Sequence, residues 1–305
     1  MVLPLTNEQL KAIRDTCPRT QSEIDQDLAI LRHWLDKQHH LPKISDEMLK
    51  KIMFSLKYRM EKIKTVIDNF YTVKEIFPQI YTQQDPTTES YRKHVDAAYM
   101  FPLPKLTPEL NRVLCYRMAS TDARDLVLDE QLKRNEMMWS WLFDYDPLTL
   151  GDVWIFDLTH MDTMAHWAQF NVAFMKKLLK ISLDAKPVRI KRVHFVNISS
   201  VAETTLNFVK HFFPQKFKDR LIFNSKTEGL YEYYPIDMLP NEWGGKAGSM
   251  ESLNDDLHAE FIKRSDWFVE MEHVKADSSK RVSQKIGGDQ TILGVEGNFK
   301  KLCVD

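Results

Sequence analysis

The sequence predicts an all-α N-terminal domain followed by an α/β domain whose sheet is mostly parallel. Apolar residues recur at helical spacing from Glu23 to Phe77, and beyond Pro108 short β-rich runs alternate with helical stretches. Strands separated by helices need crossover connections, which make neighbouring strands parallel. The length of 305 residues suits two domains of about 150 residues each. We place them at 1–90 and 91–247, with a C-terminal helix and tail over 248–305.

The N-terminal helical pattern has ordinary start and stop signals. Ser45 precedes Asp46 and Glu47 at a helix start, and Pro78 follows the last turn. The helix-spaced apolar positions are Leu28, Leu31, Leu35, Met48, Ile52, Met53, Leu56, Ile63, Ile67 and Phe70. Residues 79–108 contain DPTTES and FPLPKLTP, whose prolines and small polar residues favour neither helix nor strand. We expect this stretch to connect the two domains.

Four runs in the second domain are predicted strands, separated by two long helical patterns. They are Arg112 to Met118, Asp152 to Leu158, Arg189 to Ile198 and Arg220 to Phe223. After Gly245 the chain becomes polar again, with one helix predicted near Leu257 to Val269 and a glycine-bearing tail. This pattern is that of an α/β domain.

Composition excludes several classes of protein. Hydrophobic residues make up 43% of the chain, and 42 Lys and Arg nearly balance 43 Asp and Glu, which disfavours disorder and a globally basic nucleic-acid binder. Cys17, Cys115 and Cys303 are far apart, which suggests neither a disulfide framework nor a zinc site. The N-terminus becomes charged too early for a signal peptide, and no apolar run approaches the ~20 residues of a membrane span. We expect a cytoplasmic protein, monomeric, with only peripheral membrane contact.

Motifs that would indicate catalysis fail their geometric requirements. GGKAGS at 244–249 lacks the spacing of a phosphate-binding loop, and Asp144 and Asp146 end a helical pattern instead of a buried strand. The chain contains no G-x-S-x-G elbow and no G-x-G-x-x-G after a strand. The sequence therefore predicts that the protein is not an enzyme.

Three further polar residues have a structural and a functional interpretation. His160 and His166 stand six apart, so they do not share a helical face as metal ligands would. Asp157 follows a predicted strand, where an α/β enzyme could hold an acid. Without a partner base, capping of the next turn is the favoured role for Asp157. No metal site is predicted.

A helix from Ser200 to Pro214 carries an unusually wide apolar face. Ser200 and Glu203 have the spacing of a capping box, and the apolar residues span about 160°, wider than the ~100° stripe of an ordinary amphipathic helix. Either its own protein packs it on both sides, or one side meets something else. Between Lys186 and Arg220 eight basic residues stand against two acidic ones, a pattern that fits an anionic membrane surface or simply a solvated charged face.

Two other stripes would suit either a core or the walls of a cavity. Phe170, Phe174, Leu178 and Ile181 recur at helical spacing, and Met137, Met138, Trp141 and Leu142 crowd the helix before the second strand. Broad aromatic and Met-rich surfaces of this kind can enclose an apolar ligand.

Several motifs in order resemble the CRAL-TRIO lipid-binding family. They are WIFDLT at 154–159, PVRIKRVHFVNIS at 187–199, FVKHFFPQKFKDRLIF at 208–223 and LPNEWGG at 239–245. The helical N-terminal unit and the ending GVEGNFKKL are also similar to the family, the latter to its arthropod branch. The chain departs from the family pattern in three places. IMFSL at 52–56 aligns with the family's basic F-L-R-A-R stretch, although Lys57 follows it. His160 stands where the family's D-x-x-G has glycine, and Trp243 replaces the tyrosine of L-P-x-x-Y-G-G.

The resemblance implies a carrier without a cofactor that holds one lipophile, such as a tocopherol or a retinoid, under a mobile lid helix. Together with the stripes it gives a predicted pocket of Met137, Met138, Trp141, Phe156, Phe170, Phe174, Leu178, Ile181, Ile198 and Val201. The implied lid residues are Val201, Leu206, Phe208, Val209, Phe212 and Phe213. The implied phosphoinositide-binding residues are Lys57, Arg189, Lys191, Lys216 and Arg220. The alternative is a lipid-sensing adaptor or tether that reports ligand occupancy to a protein partner.

Overall fold

The computed structural model describes residues 2–145, 148–161 and 164–281, without the side chains of Val172, Val209 and Phe212. The helices are α1 Asn7–Asp15, α2 Gln21–Leu35, α3 Asp46–Ser55, α4 Met60–Ile76, α5 Pro78–Tyr81, α6 Glu89–Ala97, α7 Leu128–Tyr145, α8 Met164–Trp167, α9 Val172–Leu179, α10 Ser200–Val209, α11 Gln215–Lys218, α12 Met250–Ile262 and α13 Ser265–Met271. The strands are β1 Ala98–Pro102, β2 Arg112–Met118, β3 Asp152–Asp157, β4 Ile190–Val196 and β5 Leu221–Phe223. The predicted class, a helical N-terminal region before a mostly parallel sheet with helices, is confirmed.

The five strands form one sheet in the order β1-β2-β3-β4-β5. Strands β2 to β5 are parallel, whereas β1 pairs with β2 in antiparallel orientation. Long connections that contain helices join the parallel strands, as such strands require. The sequence located β2 to β5 to within two residues of their observed ends.

The prediction that residues 79–108 form neither helix nor strand is wrong. This stretch contains α5, α6 and the edge strand β1, which places Pro102 opposite Leu114. An edge strand has one side without ladder hydrogen bonds, so it tolerates a proline that a central strand would not.

The N-terminal helices enclose their own core, to which the end of the described chain also belongs. Leu31, Leu49 and Ile63 are fully buried in this core, and Ala276 packs into it. The backbone N–H of Ala276 donates to the Tyr71 carbonyl at 3.0 Å. The helix predicted near 257–269 is the pair α12 and α13, after which the chain reaches the N-terminal helices at Ala276. Cys303 and the GVEGNFKKL ending lie outside the described residues.

A candidate lipid-binding cavity under helix α10

The alternation of side chains along the strands gives the sheet two different faces. On β3, Trp154 and Phe156 point to the face we call the front, and Val153 and Ile155 to the back, because successive residues of a strand face opposite sides. Neighbouring strands keep this register, since Tyr116 lies beside Phe156 on β2 and Phe195 beside it on β4. The front face is therefore strongly aromatic.

A cavity of about 230 Å³ lies between the front face and the helices that cover it. This is far more than the roughly 15 Å³ that one water molecule needs. Tyr116, Phe156 and Phe195 form its floor, while α7 and α9 form its walls, with Leu132 on the former and Leu178 on the latter. The lining is mainly apolar.

A few polar groups interrupt the apolar lining. The Tyr116 hydroxyl donates a hydrogen bond to Asn135 Oδ1 at 2.7 Å. Gln131 Oε1 accepts a hydrogen bond from the Arg134 guanidinium at 2.9 Å. Ser182 also lines the cavity. Such sparse polar groups in an apolar wall are typical of sites that orient a lipophile by one or two hydrogen bonds.

Helix α10, the predicted lid, covers part of the cavity. Its N-cap is Ser199, whose hydroxyl accepts from the Ala202 N–H at 3.2 Å, so the helix is capped one residue before the predicted Ser200. Ala202 and Leu206 are buried, and Leu206 faces the cavity. Phe208, on the other side, is 58% exposed. The helix therefore has an inner face seated on the cavity and an outer aromatic facing outwards, as its wide apolar arc suggested.

A cation holds the C-terminal end of α10 near the sheet. The Lys210 ammonium lies 3.9 Å from the ring centre of Phe223 on β5. Phe213, just beyond the helix, lines the cavity and stacks on Phe217. Of the other lid residues, Val201 packs beside Leu206, and the side chains of Val209 and Phe212 lie outside the described part of the chain.

The predicted pocket residues separate into three groups. Four of them line the cavity, namely Phe156, Phe170, Phe174 and Leu178. Ile198 and Val201 pack partly buried at its margin, in the cluster that contains Leu206. The other four, Met137, Met138, Trp141 and Ile181, do not line it.

Packing by other elements explains why those four residues lie elsewhere. Beyond Asn135 the turns of α7 are covered by α12 and α13, and Trp141 packs edge-on against Phe261 with ring centres 6.2 Å apart. Met137 and Met138 belong to the same filled cluster. Ile181 is fully buried against Ile80 of α5. The wide apolar surface of α7 thus serves a solid core along most of its length.

Cations from both halves of the chain meet beside the N-terminal end of β4. We call Lys57, Arg59, Lys62, Lys191, Lys216 and Arg220 the basic cluster. Partial burial and the nearby cations Lys216, Arg59 and Arg220 lower the pKa of Lys62. Within the described part of the chain, no carboxylate lies within 4 Å of a nitrogen of these six side chains. Asp184 is near enough to oppose the lowering of the Lys62 pKa, but among the described residues the cluster keeps an excess of positive charge.

Several of the basic residues counted in the sequence have other roles; besides Lys210, Arg192 lies over the ring of Tyr233. The Arg189 guanidinium donates to the carbonyls of Phe54 and Ser55 at the end of α3, so it caps a helix of the N-terminal unit. Lys186 is buried and pairs with Glu136 at 2.6 Å. Sequence reasoning missed Arg59 and Lys62, although both follow Lys57 closely and supply the basic residues that the alignment at 52–56 lacked.

The residues considered for catalysis have structural roles. Asp157 accepts hydrogen bonds from Thr159, Asn197 and the Trp243 indole, the last at 2.9 Å, which fits the capping interpretation. His160 contacts the Met118 carbonyl, and His166 is buried.

The remaining polar motifs also belong to the framework. Asp144 pairs with Arg264 at 2.7 Å, whereas Asp146 lies outside the described residues. Gly244 adopts φ +77 in the 244–249 turn. Over residues 2–145, 148–161 and 164–281, no three His, Cys, Asp or Glu side chains come together as metal ligands would. In the same ranges no helix has the length and apolar character that crossing a membrane requires.

Comparison with known proteins supports the resemblance to the CRAL-TRIO family that the sequence motifs indicated. Residues 97–245 match the CRAL/TRIO domain family, and residues 20–91 match the Pinta-like UBA domain. The chain is 20% identical to the alpha-tocopherol transfer protein-like protein of Homo sapiens over 298 residues, which is 96% of this chain and 82% of that one. It is also 20% identical to its Mus musculus counterpart over 256 residues, 83% and 74% of the two chains.

The fold has a solved counterpart. The crystal structure of Sfh5 aligns with a TM-score of 0.52 at 14% identity, covering 86% of this chain and all of that one. Proteins of this family bind and transfer lipophilic molecules. The chain contains a CRAL/TRIO domain over residues 97–245.

Proposed function

We propose that the protein is an intracellular carrier that holds one small lipophile in the front-face cavity and releases it at an anionic, phosphoinositide-containing membrane. The observation that carries the proposal is the cavity itself, which is mainly apolar and is covered by a helix with an exposed aromatic on its far side. Relatives described as alpha-tocopherol transfer protein-like make a tocopherol one candidate cargo, and a retinoid is another.

Energetics explain why such a carrier needs a membrane. A lipophile that buries ~400 Å² of apolar surface gains about 10 kcal/mol at ~25 cal/mol per Å². Escape directly into water would therefore be very slow. A route from cavity to bilayer avoids that cost, and opening of α10 would create one. The contact of Lys210 with Phe223 must loosen in that step.

The basic cluster is the proposed docking surface. Each Lys or Arg near an anionic bilayer contributes about 1 kcal/mol, so three of them contribute about 3 kcal/mol. Salt shortens the Debye length from about 10 Å at 0.1 M to about 3 Å at 1 M, so docking should weaken as salt rises. Cytoplasmic location, reversible membrane contact and a monomeric state are part of this proposal.

The test measures transfer of retinol, as a fluorescent probe, from the protein to vesicles that contain phosphatidylinositol bisphosphate. We expect the triple variant Lys62→Ala, Lys191→Ala, Lys216→Ala to transfer about 10- to 100-fold more slowly. Arg189 and Arg220 are left intact because their guanidinium groups donate to backbone carbonyls, Arg189 at the end of α3 and Arg220 at Ile190. The matched control removes three exposed lysines elsewhere, Lys246, Lys263 and Lys280. Equal rates in the wild type and the cluster variant would refute the docking role.

The adaptor alternative predicts a different result. A ligand-dependent stable complex with a protein partner, without extraction of retinol from membranes, would favour a sensor over a carrier.

A further inference from the structure

A stack of four aromatic rings runs across the front face, with one ring on each of β2 to β5. The ring centres of Tyr116 and Phe156 are 4.6 Å apart, those of Phe156 and Phe195 5.2 Å, and those of Phe195 and Phe223 5.4 Å. Neighbouring rings are tilted by only 16°, 17° and 8°. We call this row the aromatic ladder.

The geometry of the ladder determines what it offers to a ligand. Phe156 and Phe195 each have a ring stacked on both faces, so only their edges can meet the cavity that they line. The ends of the ladder are also fixed, because the Tyr116 hydroxyl is bonded to Asn135 and Lys210 lies over Phe223. The floor of the cavity is therefore a row of ring edges held in place.

Ring edges distinguish between kinds of apolar molecule. An aromatic ring has a positive edge and a negative face, so edge-to-face contact with another π system is favourable beyond the area it buries. A flat conjugated molecule lying on the ladder would make several such contacts. A saturated chain of equal size would gain only the burial of its surface.

The ladder is not a general consequence of strand composition. The back face of the same strands carries Val113, Cys115, Val153, Ile155 and Val196. On β2 to β5 the Phe, Tyr and Trp side chains lie on the face that borders the cavity, whereas the edge strand β1 places Phe101 in the back-face cluster. The walls add further aromatic groups, including Phe170 and Phe174, which meet edge to face at 5.8 Å.

We infer that the cavity selects planar conjugated lipophiles, such as polyenes, over saturated lipophiles of the same size, and that Phe156 and Phe195 set this selectivity. This inference rests on the proposed carrier function and specifies its cargo by chemical class. It uses no property of the basic cluster, so the two proposals can fail separately.

The test compares two straight-chain C18 alcohols, the conjugated tetraene trans-parinarol and saturated 1-octadecanol. Parinarol binding is followed by its fluorescence, and octadecanol by displacement of parinarol. The measured quantity is the ratio of the two dissociation constants. Comparing this ratio between variants cancels the difference in hydrophobicity of the two alcohols.

We expect Phe156→Leu and Phe195→Leu each to reduce the preference for parinarol about 3- to 10-fold, the range of one or two edge-to-face contacts. The control Phe174→Leu removes a wall aromatic that meets Phe170 edge to face and belongs to no row of parallel ring edges, so it should change the ratio less than 2-fold. If a leucine variant does not fold, Phe156→Met serves in its place, because the flexible methionine side chain adapts better to the space that the ring leaves.

The outcomes are distinct. An unchanged ratio in the ladder variants, or an equal change in Phe174→Leu, would overturn the role of the ladder while leaving a carrier intact. Binding of neither alcohol would overturn the carrier proposal and this inference with it. A ratio that falls only in the ladder variants would support the inference.

Discussion

The two faces of the sheet are built from the same strands, but one is fully packed and the other borders a cavity. The back face is filled, since Ile155, Leu230 and Trp243 are at most 1% exposed there. Short 3₁₀ turns at Thr227–Glu232, Ile236–Met238 and Asn241–Trp243 pack directly onto it. The front face has larger side chains but retains a cavity of about 230 Å³.

The difference shows that large aromatic residues do not by themselves fill space. On the front, Leu206 of α10 and Phe213 just beyond it line the cavity from above. The rings of the aromatic ladder stack on one another, so they do not fold down into the space between. On the back, small β-branched side chains let the covering turns come close. The back face thus supplies stability, and the front face supplies a site.

The largest contrast should come from neighbouring residues on β3. Ile155→Ala removes a fully buried back-face side chain and should lower the free energy of unfolding by about 2–5 kcal/mol. Phe156→Leu, on the front, should cost less, about 1–2 kcal/mol, because the ring loses its stacking on Tyr116 and Phe195 but its edge already borders the cavity. Urea denaturation of both variants checks this. Equal losses would mean that the two faces are packed alike.

A second prediction concerns how a buried histidine of the back face makes stability depend on pH. Burial, with a smaller effect of Arg192, lowers the pKa of the back-face His194 to about 4, and its Nε2 is 2.8 Å from the Tyr234 hydroxyl. The unfolded chain then binds more protons than the folded one between about pH 4 and 6.5, so His194 lowers stability as pH falls through this window. Replacing His194 should therefore remove about 2 kcal/mol of the acid-induced decrease in the free energy of unfolding at pH 4.5.

The measurement is the free energy of unfolding of wild type and His194→Leu at pH 7.5 and pH 4.5. The difference between the two proteins should shrink at the lower pH. Asp152 acts in the opposite direction, because burial raises its pKa to about 6, but it is present in both proteins and cancels. The control Ile155→Ala changes a back-face residue that does not titrate and should leave the pH dependence unaltered.

The smallest contrast compares two tryptophans whose indoles donate hydrogen bonds on opposite faces. Trp243 donates to the buried Asp157 carboxylate at 2.9 Å, and Trp167 to the Met161 carbonyl at 3.0 Å. Bonds to charged groups contribute about 1.5–3 kcal/mol and neutral ones about 0.5–1.5 kcal/mol. Trp243→Phe should therefore cost about 1 kcal/mol more than Trp167→Phe in thermal or urea unfolding. The reverse order would show that Asp157 is not stabilised by the indole.

Sequence periodicity was most informative where the decisive interactions are local. Helical spacing and capping residues located α2, α3 and α4, and β-rich runs located four strands, because these signals depend on neighbours a few residues away. Strand β1 was missed since its five residues with a proline are stabilised by pairing with β2, not by their own propensity.

For the site, the sequence alone determined that the second half carries broad apolar surfaces that suit either a core or a cavity, near a local excess of positive charge. Only the tertiary structure decided which surface borders a cavity: Phe174 and Leu178 do, whereas Met137 and Trp141 are covered by α12 and α13. It also decided that Arg189 caps α3 while Lys62 joins the basic cluster. A periodic pattern fixes which side chains share a face, but what fills the space opposite that face comes from residues distant in the chain.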